Sequence, residues 1–343
     1  MAKRPTYIVT GGAGFIGANL TAALLARSPR PFVVVIDSFR SGSFANLVEA
    51  CERRAAGPFD GSVISLSTSE IDFAEVLETY PAQAVFHIGA ITDTTVSSET
   101  TMLRENVEGF SAMLEACDEA RTPLVYASSA ATYGTPPQTA QRKPFPLGAA
   151  GKPNNVYGFS KWLMECEHRR FAERTAKRRD REPMVVGLRY FNVFGPGEAR
   201  KGKMASMVYQ LTMQVLAGRS PRLFADGTQA RDQVYVDDVV DCTLAAAGLG
   251  KRAPRPGVYN LGSGVATSFN QIADAIRAAL GLSDQERPTD YFDMPPDIRR
   301  FYQDYTCADM TETARGLGWK PKHDPVRAMG AYAKFLSESS ATL

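Results

Sequence analysis

The sequence is poor in histidine, carries few cysteines, and has no excess of charge of either sign. Its three histidines and five cysteines are scattered, and they form neither a zinc-ligand spacing nor a disulfide framework. We therefore expect no structural metal, and we expect the cysteines to be reduced and to pack in the interior. The formal net charge is +2, from 39 basic and 37 acidic residues, so the chain lacks the general basic field typical of nucleic-acid binding.

Long apolar runs are also missing, since none approaches the ~18–20 residues that a membrane-spanning helix needs. Residues 1–5 show no signal-peptide pattern, and a strand-like segment follows them at once. Hydrophobic residues make up 44% of the chain and charged residues 22%, which is ordinary for a globular protein. We predict a cytoplasmic protein of one large or two modest domains, without a membrane partner.

A glycine-rich turn near the N-terminus gives the first functional signal. Residues 7–10 form a short apolar strand, Gly11, Gly14 and Gly17 follow in a G-x-x-G-x-x-G spacing, and a helical stretch begins at residue 18. In a dinucleotide-binding fold, such glycines permit a tight turn, close approach of the backbone to a pyrophosphate, and packing of the helix on the strand. A flexible loop is the alternative, but the flanking strand and helix favour nucleotide binding.

The residues after the second predicted strand bear on the choice of cofactor. This strand, residues 31–36, ends in Asp37, twenty residues after Gly17. An acid at this position accepts hydrogen bonds from the adenosine ribose hydroxyls, which favours NAD. Arg40 either clamps the 2′-phosphate of NADP or is an ordinary solvated arginine. The sequence therefore predicts a nicotinamide cofactor and leaves NAD and NADP open.

Strands and helices alternate along the first half of the chain. One long helix is predicted at residues 103–120, with Asn106 placed to reach the cofactor. Further strands are predicted at residues 63–66, 84–90, 124–127 and 184–192. The alternation predicts an α/β fold, a Rossmann-like doubly wound parallel sheet with a smaller C-terminal substrate domain.

Ligands of such a sheet bind beyond the carboxyl ends of its strands. The residues that fall at those ends are Gly11, Asp37, Gly89, Ser129 and Asn192. We place a dinucleotide-binding domain at residues 1–191 and a substrate domain mainly at residues 192–343, with some strands of the second part returning to the first.

A tyrosine and a lysine four residues apart suggest the chemistry. On a helix, Tyr157 and Lys161 lie one turn apart on the same face. A phenol ionises near pH ~10, and a lysine cation beside it lowers the pKa of the phenol toward neutrality. That pair suits an acid/base at a carbon that undergoes hydride transfer. Tyr-x-x-x-Lys is common by chance. We predict a catalytic role for it because the glycine turn and the pair Ser128 and Ser129 accompany it in the sequence.

The second half of the chain is less regular. Residues 200–206 are basic and are predicted to open a helix that ends near residue 217, where basic groups either hold a diphosphate or form an ordinary exposed turn. Asp237 and Asp238 are predicted to cap another helix. Residues 135–155 are predicted to be an active-site loop, and the Pro-rich residues 290–301 a second loop.

These patterns resemble the extended short-chain dehydrogenase/reductase family of nucleotide-sugar enzymes, and within it the ADP-L-glycero-D-manno-heptose 6-epimerases, over nearly the whole chain. The segments that carry the resemblance are the glycine turn from Thr10 to Gly17, Tyr126-Ala-Ser-Ser-Ala-Ala-Thr-Tyr-Gly134, Asn155-Val-Tyr-Gly-Phe-Ser-Lys161, Arg189-Tyr-Phe-Asn-Val-Phe-Gly-Pro196 and Lys201-Gly-Lys-Met-Ala-Ser206. The last segment is the most specific, since the others are shared widely with 4-epimerases and dehydratases.

The resemblance implies a redox-neutral epimerisation of a nucleotide sugar with a tightly bound NADP or NAD, in a homo-oligomer that is a pentamer by family resemblance. It implies that Tyr157 is one acid/base, that Lys161 holds the nicotinamide ribose and tunes Tyr157, and that Ser129 hydrogen-bonds the reacting oxygen. Lys201 falls where the family has a second acid/base. The implied cofactor positions are Gly11, Gly14, Phe15, Ile16, Gly17, Asp37, Ser38, Arg40, Gly89, Ala90, Asn106, Tyr157 and Lys161. The implied substrate positions are Ser129, Asn192, Lys201, Lys203, Gln210, Phe224, Gly227, Arg231 and Tyr302.

The chain departs from the family pattern at a few positions. Arg200, Lys203 and Gln210 stand where histidine, serine and histidine are usual, and Ile88 where an acid is usual. A lysine that the family directs toward NADP is replaced around Phe44. These departures leave open a UDP- or GDP-sugar 4-epimerase. A dehydratase is disfavoured because no Asp-Glu pair follows Ser129, and a non-catalytic cofactor-binding protein is disfavoured because the glycines, the tyrosine and the lysine are all present.

Overall fold

A parallel sheet lies at the centre of the protein. The computed structural model describes residues 4–93, 96, 98–135, 141–294 and 302–340. Its largest sheet has seven strands, and each pairs parallel to its neighbours. In spatial order these are β10 (Gly257–Leu261), β6 (Val185–Tyr190), β5 (Leu124–Ser129), β4 (Ala84–His87), β1 (Thr6–Thr10), β2 (Phe32–Ile36) and β3 (Ser62–Ile64). The predicted Rossmann-like, doubly wound α/β fold is confirmed.

Helices cover both faces of this sheet, which explains why its strands are almost continuously apolar. Along β2, Val33 and Val35 belong to one buried cluster, whereas Val34 and Ile36 belong to the other. Full burial of each such side chain contributes roughly 1.5–3 kcal/mol relative to exposure. The first face is covered by α1 (Phe15–Leu25), α2 (Phe44–Arg53) and α8 (Val236–Leu244), and the second by α3 (Phe73–Thr79), α5 (Phe110–Glu119) and α6 (Val156–Arg179).

Most of the C-terminal part forms a second, smaller unit. A three-stranded sheet contains β7 (Asn192–Phe194), β9 (Ala230–Tyr235) and β11 (Ala266–Ser268), and a two-stranded sheet contains β8 (Arg222–Phe224) and β12 (Asp290–Phe292). The described residues of this part form the helices α7 (Met207–Leu216), α9 (Phe269–Ala279), α10 (Thr311–Leu317) and α11 (Pro325–Ser340). Strand β10 and helix α8 belong to this stretch of sequence but join the central sheet. The domain boundary at residue 191 stays a prediction.

The predicted long helix at residues 103–120 is wrong, because the chain forms two helices there. They are α4 (Glu99–Asn106) and α5, and Gly109 separates them with a φ of +85°. This left-handed backbone interrupts a helix, and glycine adopts it without strain. A Cβ atom at this position would also lie 3.2 Å from the Thr68 carbonyl oxygen.

Two other local expectations differ from the structure. The basic residues do not open α7, because they lie on a separate 3₁₀ turn, Ala199–Met204, and Ser206 caps the helix. Neither Asp237 nor Asp238 caps α8, because both lie in its first turn and Tyr235 takes the cap position without a side-chain hydrogen bond. The Asp238 carboxylate instead accepts hydrogen bonds from the amides of Lys322 and His323, which fastens the start of the C-terminal segment.

The five cysteines are free thiols, and four of them are buried, as expected for packing residues. In the part of the chain that the structure describes, no helix is long and apolar enough to cross a membrane. The predicted loops at residues 135–155 and 290–301 fall partly outside the described residues, at 136–140 and 295–301, and the second prediction is wrong at residues 290–292, which form β12.

Candidate active site

The glycine turn joins β1 to α1 and brings two strand ends together. Gly11 has a φ of +64°, and a Cβ atom there would lie 2.6 Å from the backbone of Gly89, just after β4. At Gly17 a Cβ atom would lie 2.0 Å from the carbonyl oxygen of Gly11. Gly14 occupies the cap position of α1 without a side-chain hydrogen bond. The amides of the first helical turn are therefore left to a ligand or to solvent.

A cavity of about 370 Å³ opens over this turn at the carboxyl edge of the sheet. Its lining includes most of the predicted cofactor residues, namely Gly11, Gly14, Phe15, Ile16, Gly17, Asp37, Ser38, Arg40, Gly89 and Ala90. Arg200 and Lys201 line it from the C-terminal part of the chain. Asn106 is not on the wall: its side chain bonds the Ile91 backbone and donates to the Ser160 hydroxyl, so it shapes the segment after β4.

Asp37 shapes the loop that follows β2. Its Oδ2 atom accepts a hydrogen bond from the Ala13 amide at 2.9 Å, and its Oδ1 atom accepts one from the Phe39 amide at 2.8 Å. Arg40 is exposed beyond this loop. The Glu105 carboxylate lines the same cavity. Its pKa is lowered by a hydrogen bond from Ser67, by Arg104 and by the nearby charge of Arg40. Acidic and basic groups therefore both flank this end of the cavity.

Ser129 and Tyr157 meet at the end of β5. Asn155 caps α6 by accepting a hydrogen bond from the Gly158 amide at 2.8 Å, which fixes the turn that carries Tyr157. A Cβ atom at Gly158 would lie 2.6 Å from the carbonyl oxygen of Ala131. Only glycine lets α6 approach the turn after β5 this closely, and the Tyr157 hydroxyl is hydrogen-bonded to Ser129. Sequence reasoning overlooked the role of Gly158 in this close approach.

The pKa of Tyr157 differs from the sequence expectation. Burial raises it, and the hydrogen bond with Ser129 only partly offsets this effect. Lys161 is 1% exposed, and burial lowers the pKa of its amine to about 7. Its Nζ atom lies 3.7 Å from the Met164 sulfur. Burial, and not a lysine cation beside the phenol, therefore sets the direction of the Tyr157 pKa shift, contrary to what the spacing predicted.

Lys201 approaches from the 3₁₀ turn, and its neighbours tie that turn to the rest of the protein. The Lys201 amine lies 5.7 Å from the centre of the Phe15 ring, and burial lowers its pKa. Arg200 donates to Asn46 at 2.8 Å and forms an ion pair with Glu49 at 2.6 Å, both on α2. Lys203 lies near the end of the turn, and Gln210 lies on α7. Lys203 is exposed, and the Gln210 amide donates to the carbonyl oxygen of Ala205 at 2.7 Å.

The predicted substrate residues of the smaller unit form an aromatic group around an arginine. Arg231 is 8% exposed, and its guanidinium lies 5.0 Å from the Tyr302 ring centre. The rings of Phe224 and Tyr302 are 5.8 Å apart, and Phe292 lies 4.7 Å from Phe224 on the other side. Planar rings beside a buried cation offer a surface on which a base can stack.

Two further predicted substrate positions border this group. Gly227 has a φ of +70° and donates to the carbonyl oxygen of Phe224, closing the turn after β8. Asn192 is exposed at the start of β7, which pairs with the strand that carries Arg231. These positions therefore come from three separate stretches of sequence.

A buried network behind Ser129 escaped sequence reasoning. Arg189 forms an ion pair with Glu165 at 2.7 Å, and their side chains are 4% and 0% exposed. Ser128 donates to the same carboxylate at 2.6 Å, and Arg189 donates to the Tyr133 hydroxyl at 2.9 Å. The one sequence signal was that Glu165 lies a turn after Lys161, on the same face of α6. Removing one partner of such a buried pair costs about 3–5 kcal/mol.

Fold and site define a class of protein. Residues 7–262 match the model of the NAD dependent epimerase/dehydratase family, and the chain belongs to this family. Among individual relatives, the chain is 36% identical over 315 residues to the ADP-L-glycero-D-manno-heptose-6-epimerase of Alkalilimnicola ehrlichii. The aligned residues make up 89% of each chain. The family membership predicted from the motifs is confirmed.

Solved structures show the same similarity. The ADP-L-glycero-D-manno-heptose-6-epimerase of Helicobacter pylori superposes with a TM-score of 0.80 at 32% identity, covering 97% of this chain and 96% of that one. The UDP-glucose 4-epimerase of Thermotoga maritima with UDP-glucose superposes with a TM-score of 0.79 at 25% identity, covering 98% and 99%. The chain thus matches its relatives over nearly their full length.

Proposed function

We propose that this protein is a nucleotide-sugar epimerase that converts ADP-D-glycero-D-manno-heptose to ADP-L-glycero-D-manno-heptose at C6″ of the sugar. The observation that carries the proposal is the placement of three groups at one edge of the sheet. The glycine turn and Lys201 share a cavity wall, and the Ser129–Tyr157 pair lies at the end of β5, beside β4. The identities to two ADP-heptose epimerases support the substrate.

The cavity fits a nicotinamide dinucleotide. The amides of the first turn of α1 lack a side-chain cap, and the glycines keep side chains away from the turn. A pyrophosphate bound there accepts hydrogen bonds from these amides and meets the positive end of the helix dipole. A nicotinamide held there would supply a hydride acceptor that can return the hydride to either face of the ketone formed on the sugar.

The side chains of this chain manage the protons. Tyr157 removes the hydroxyl proton of the sugar as the hydride leaves, and the Ser129 hydroxyl orients the same oxygen. Return of the hydride to the opposite face calls for a second proton donor, and we assign this step to Lys201. Lys161 supports Tyr157 and holds the nicotinamide ribose. Arg231, Phe224 and Tyr302 bind the nucleotide of the substrate, with the other substrate positions around them.

We further propose that the cofactor is NAD. Asp37 and Glu105 both line the adenosine end of the cavity around Arg40. A 2′-phosphate carries about −1.5 to −2 charges near neutral pH, and two carboxylates repel it more than one exposed arginine attracts it. Mass spectrometry of the nucleotide released from denatured protein tests this proposal. NAD is expected, and recovery of NADP contradicts it. Arg40→Ala should leave the bound nucleotide unchanged.

Proton NMR of the purified protein with ADP-D-glycero-D-manno-heptose, without added cofactor, tests the function. We expect the L-glycero epimer to appear, because a cofactor regenerated at every turnover stays bound. No conversion after addition of NAD and NADP contradicts the proposal. Conversion of UDP- or GDP-sugars instead assigns the chain to the 4-epimerases, and a chain that binds NAD but turns over no nucleotide sugar is a non-catalytic binding protein.

The resemblance also predicts a homo-oligomer in the cytoplasm. We propose that the protein self-associates, with the pentamer as the expected state. Sedimentation at several protein concentrations measures the mass, and a monomer at all of them contradicts the proposal.

A further inference from the structure

A buried carboxylate lies at the base of the turn that carries Lys201. Glu198 precedes the 3₁₀ turn Ala199–Met204, and its side chain is fully buried, with 0% exposure. Burial of an unpaired carboxylate is unfavourable, so such a group persists where donors surround it. The proposed reaction gives Glu198 no role, and its position therefore calls for a separate explanation.

Glu198 binds the chain on both sides of the turn. Its Oε1 atom accepts hydrogen bonds from the Gly195 amide at 3.0 Å and from the Ser206 hydroxyl at 2.9 Å. Its Oε2 atom accepts one from the Ser206 amide at 2.6 Å. The Tyr332 hydroxyl of α11 also hydrogen-bonds this carboxylate. One side chain thus joins the end of β7, the start of α7 and the C-terminal helix.

Arg200 and Gln210 also tie the turn to α2 and α7, but few bonds within the turn hold its shape. Gly202 breaks the helical geometry with a φ of +55° and faces open space. The Lys201 amide bonds the backbone oxygen of Glu198 at 2.9 Å, and the Ala205 amide bonds that of Gly202 at 3.1 Å. Because a turn this short cannot fix itself, the place of the Lys201 amine depends on where Glu198 holds the two ends.

Charge links the same two residues. Burial lowers the pKa of Lys201, and the negative charge of Glu198 acts in the opposite direction. Burial raises the pKa of Glu198, while its hydrogen bonds and the Lys201 charge act to lower it. The Glu198 anion and the Lys201 cation therefore favour one another.

We propose that Glu198 is a positioning residue that acts through Lys201, by fixing the turn that carries the amine and by placing a buried negative charge beneath it. The inference rests on the proposed function, in which Lys201 transfers a proton. It predicts that Glu198 matters for catalysis only while Lys201 is present.

The first test is a double-mutant cycle in the epimerisation assay. Glu198→Gln keeps the shape of the side chain but removes its charge and one acceptor, and we expect kcat to fall about 10–10²-fold. In the Lys201→Met background the same change should have no further effect on kcat, since the group through which it acts is gone. Equal losses in both backgrounds overturn the proposal, whereas inactivity of the unmodified protein on every nucleotide sugar overturns the proposed function instead.

The second test needs no substrate. The rate at which a small amine-reactive acylating reagent modifies Lys201, followed by mass spectrometry across a pH series, reports the pKa of that amine. Glu198→Gln should move the profile to lower pH, because the charge that favours the ammonium is lost. A purely structural role of Glu198 leaves the profile in place, and an unmoved profile therefore contradicts the proposal even if the enzyme's substrate is unknown.

Tyr332→Phe is a second variant, and it tests the proposal even if Glu198→Gln does not fold. It keeps the carboxylate and removes one donor from it. We expect a smaller loss of kcat than for Glu198→Gln, again suppressed by Lys201→Met. A loss that persists in the Lys201→Met background counts against the proposal.

Discussion

The two sides of the candidate site are built in different ways. Ser129 ends a central strand, and Tyr157 lies in the first turn of α6, a helix of 24 residues. Lys201 lies on a six-residue 3₁₀ turn. Parallel pairing, helix packing and a buried ion pair hold the first side, whereas one buried carboxylate and the side-chain contacts of Arg200 and Gln210 hold the second. The difference indicates that the first side is rigid by virtue of the fold, and the second by virtue of particular side chains.

The largest effect that this comparison predicts is on turnover. Tyr157→Phe and Lys201→Met each remove one proton-transfer group, and we expect each to reduce kcat by about 10²–10⁴-fold. If the two groups serve opposite faces of the sugar, each variant should slow the first oxidation of one epimer more than that of the other. The near-ultraviolet absorbance of reduced nicotinamide, after mixing with either epimer, measures this step.

Lys334→Met is the matched control, because this lysine is exposed on α11. Its turnover should equal that of the unmodified protein. Equal slowing of both epimers by Tyr157→Phe and by Lys201→Met contradicts the assignment of one group to each face.

The rigid side offers the second prediction. Gly158→Ala adds a methyl group that would lie 2.6 Å from the Ala131 carbonyl oxygen. Helix α6 must then shift away from the turn after β5, and a displacement of about 1 Å at Tyr157 is enough to cost about 10²-fold in kcat. Steady-state kinetics measure the loss.

Gly148→Ala is the control for that change. Nothing lies within 4 Å of a Cβ atom at Gly148, so we expect unchanged kinetics and unchanged stability. If Gly158→Ala is as active as Gly148→Ala, close packing of the helix is not what positions Tyr157.

The same contrast explains what the sequence predicts well. The strands of the central sheet are apolar because both faces are buried, and residues 7–10 and 31–36 show this directly. The glycine turn is predictable because only glycine tolerates the close approach of Gly11 to Gly89. Tyr157 and Lys161 share a helix face by spacing alone. These features depend on local pattern, and the sheet topology then brings them to one edge.

The features that the sequence does not predict depend on residues that are far apart along the chain. Glu198 has no periodic signal, and its donors include Ser206 and Tyr332, which only the folded chain brings near. The pKa of Tyr157 is set by burial, which residue spacing does not report. The break at Gly109 within residues 103–120 was the one error with a visible sign, a glycine inside a helical pattern.

The third prediction concerns the stability of the rigid side. The amine of Lys161 has a pKa of about 7 in the folded protein against an ordinary value of 10.5. Between these values the unfolded chain binds more protons, so stability rises with pH across this window. Below about pH 7 both states bind the proton and the burial penalty is complete. Lys161→Met should therefore raise the free energy of unfolding at pH 6 by a few kcal/mol, because the size of the pKa shift sets the free-energy penalty for burying the charged amine.

Denaturant unfolding at pH 6 and at pH 10 measures this change. The gain should be largest at the lower pH and should shrink as the pH approaches 10.5, the ordinary pKa of lysine. Lys334→Met should change stability at neither pH. A gain for Lys161→Met that is the same at both values shows that better packing, and not removal of the buried cation, is responsible.

The smallest expected effect concerns the exposed ion pair between Arg200 and Glu49, which links the Lys201 turn to α2. The side chains of Arg200 and Glu49 are 38% and 51% exposed, and solvent screens their attraction. A double-mutant cycle with Arg200→Ala and Glu49→Gln should give a coupling of about 0.2–1 kcal/mol in denaturant unfolding. Added salt should weaken that coupling further, whereas the effect of Glu198→Gln on kcat should hardly respond to salt, because its hydrogen bonds are buried. A coupling well above this range means that α2 holds the Lys201 turn as firmly as Glu198 does, and the contrast between the two sides of the site then fails.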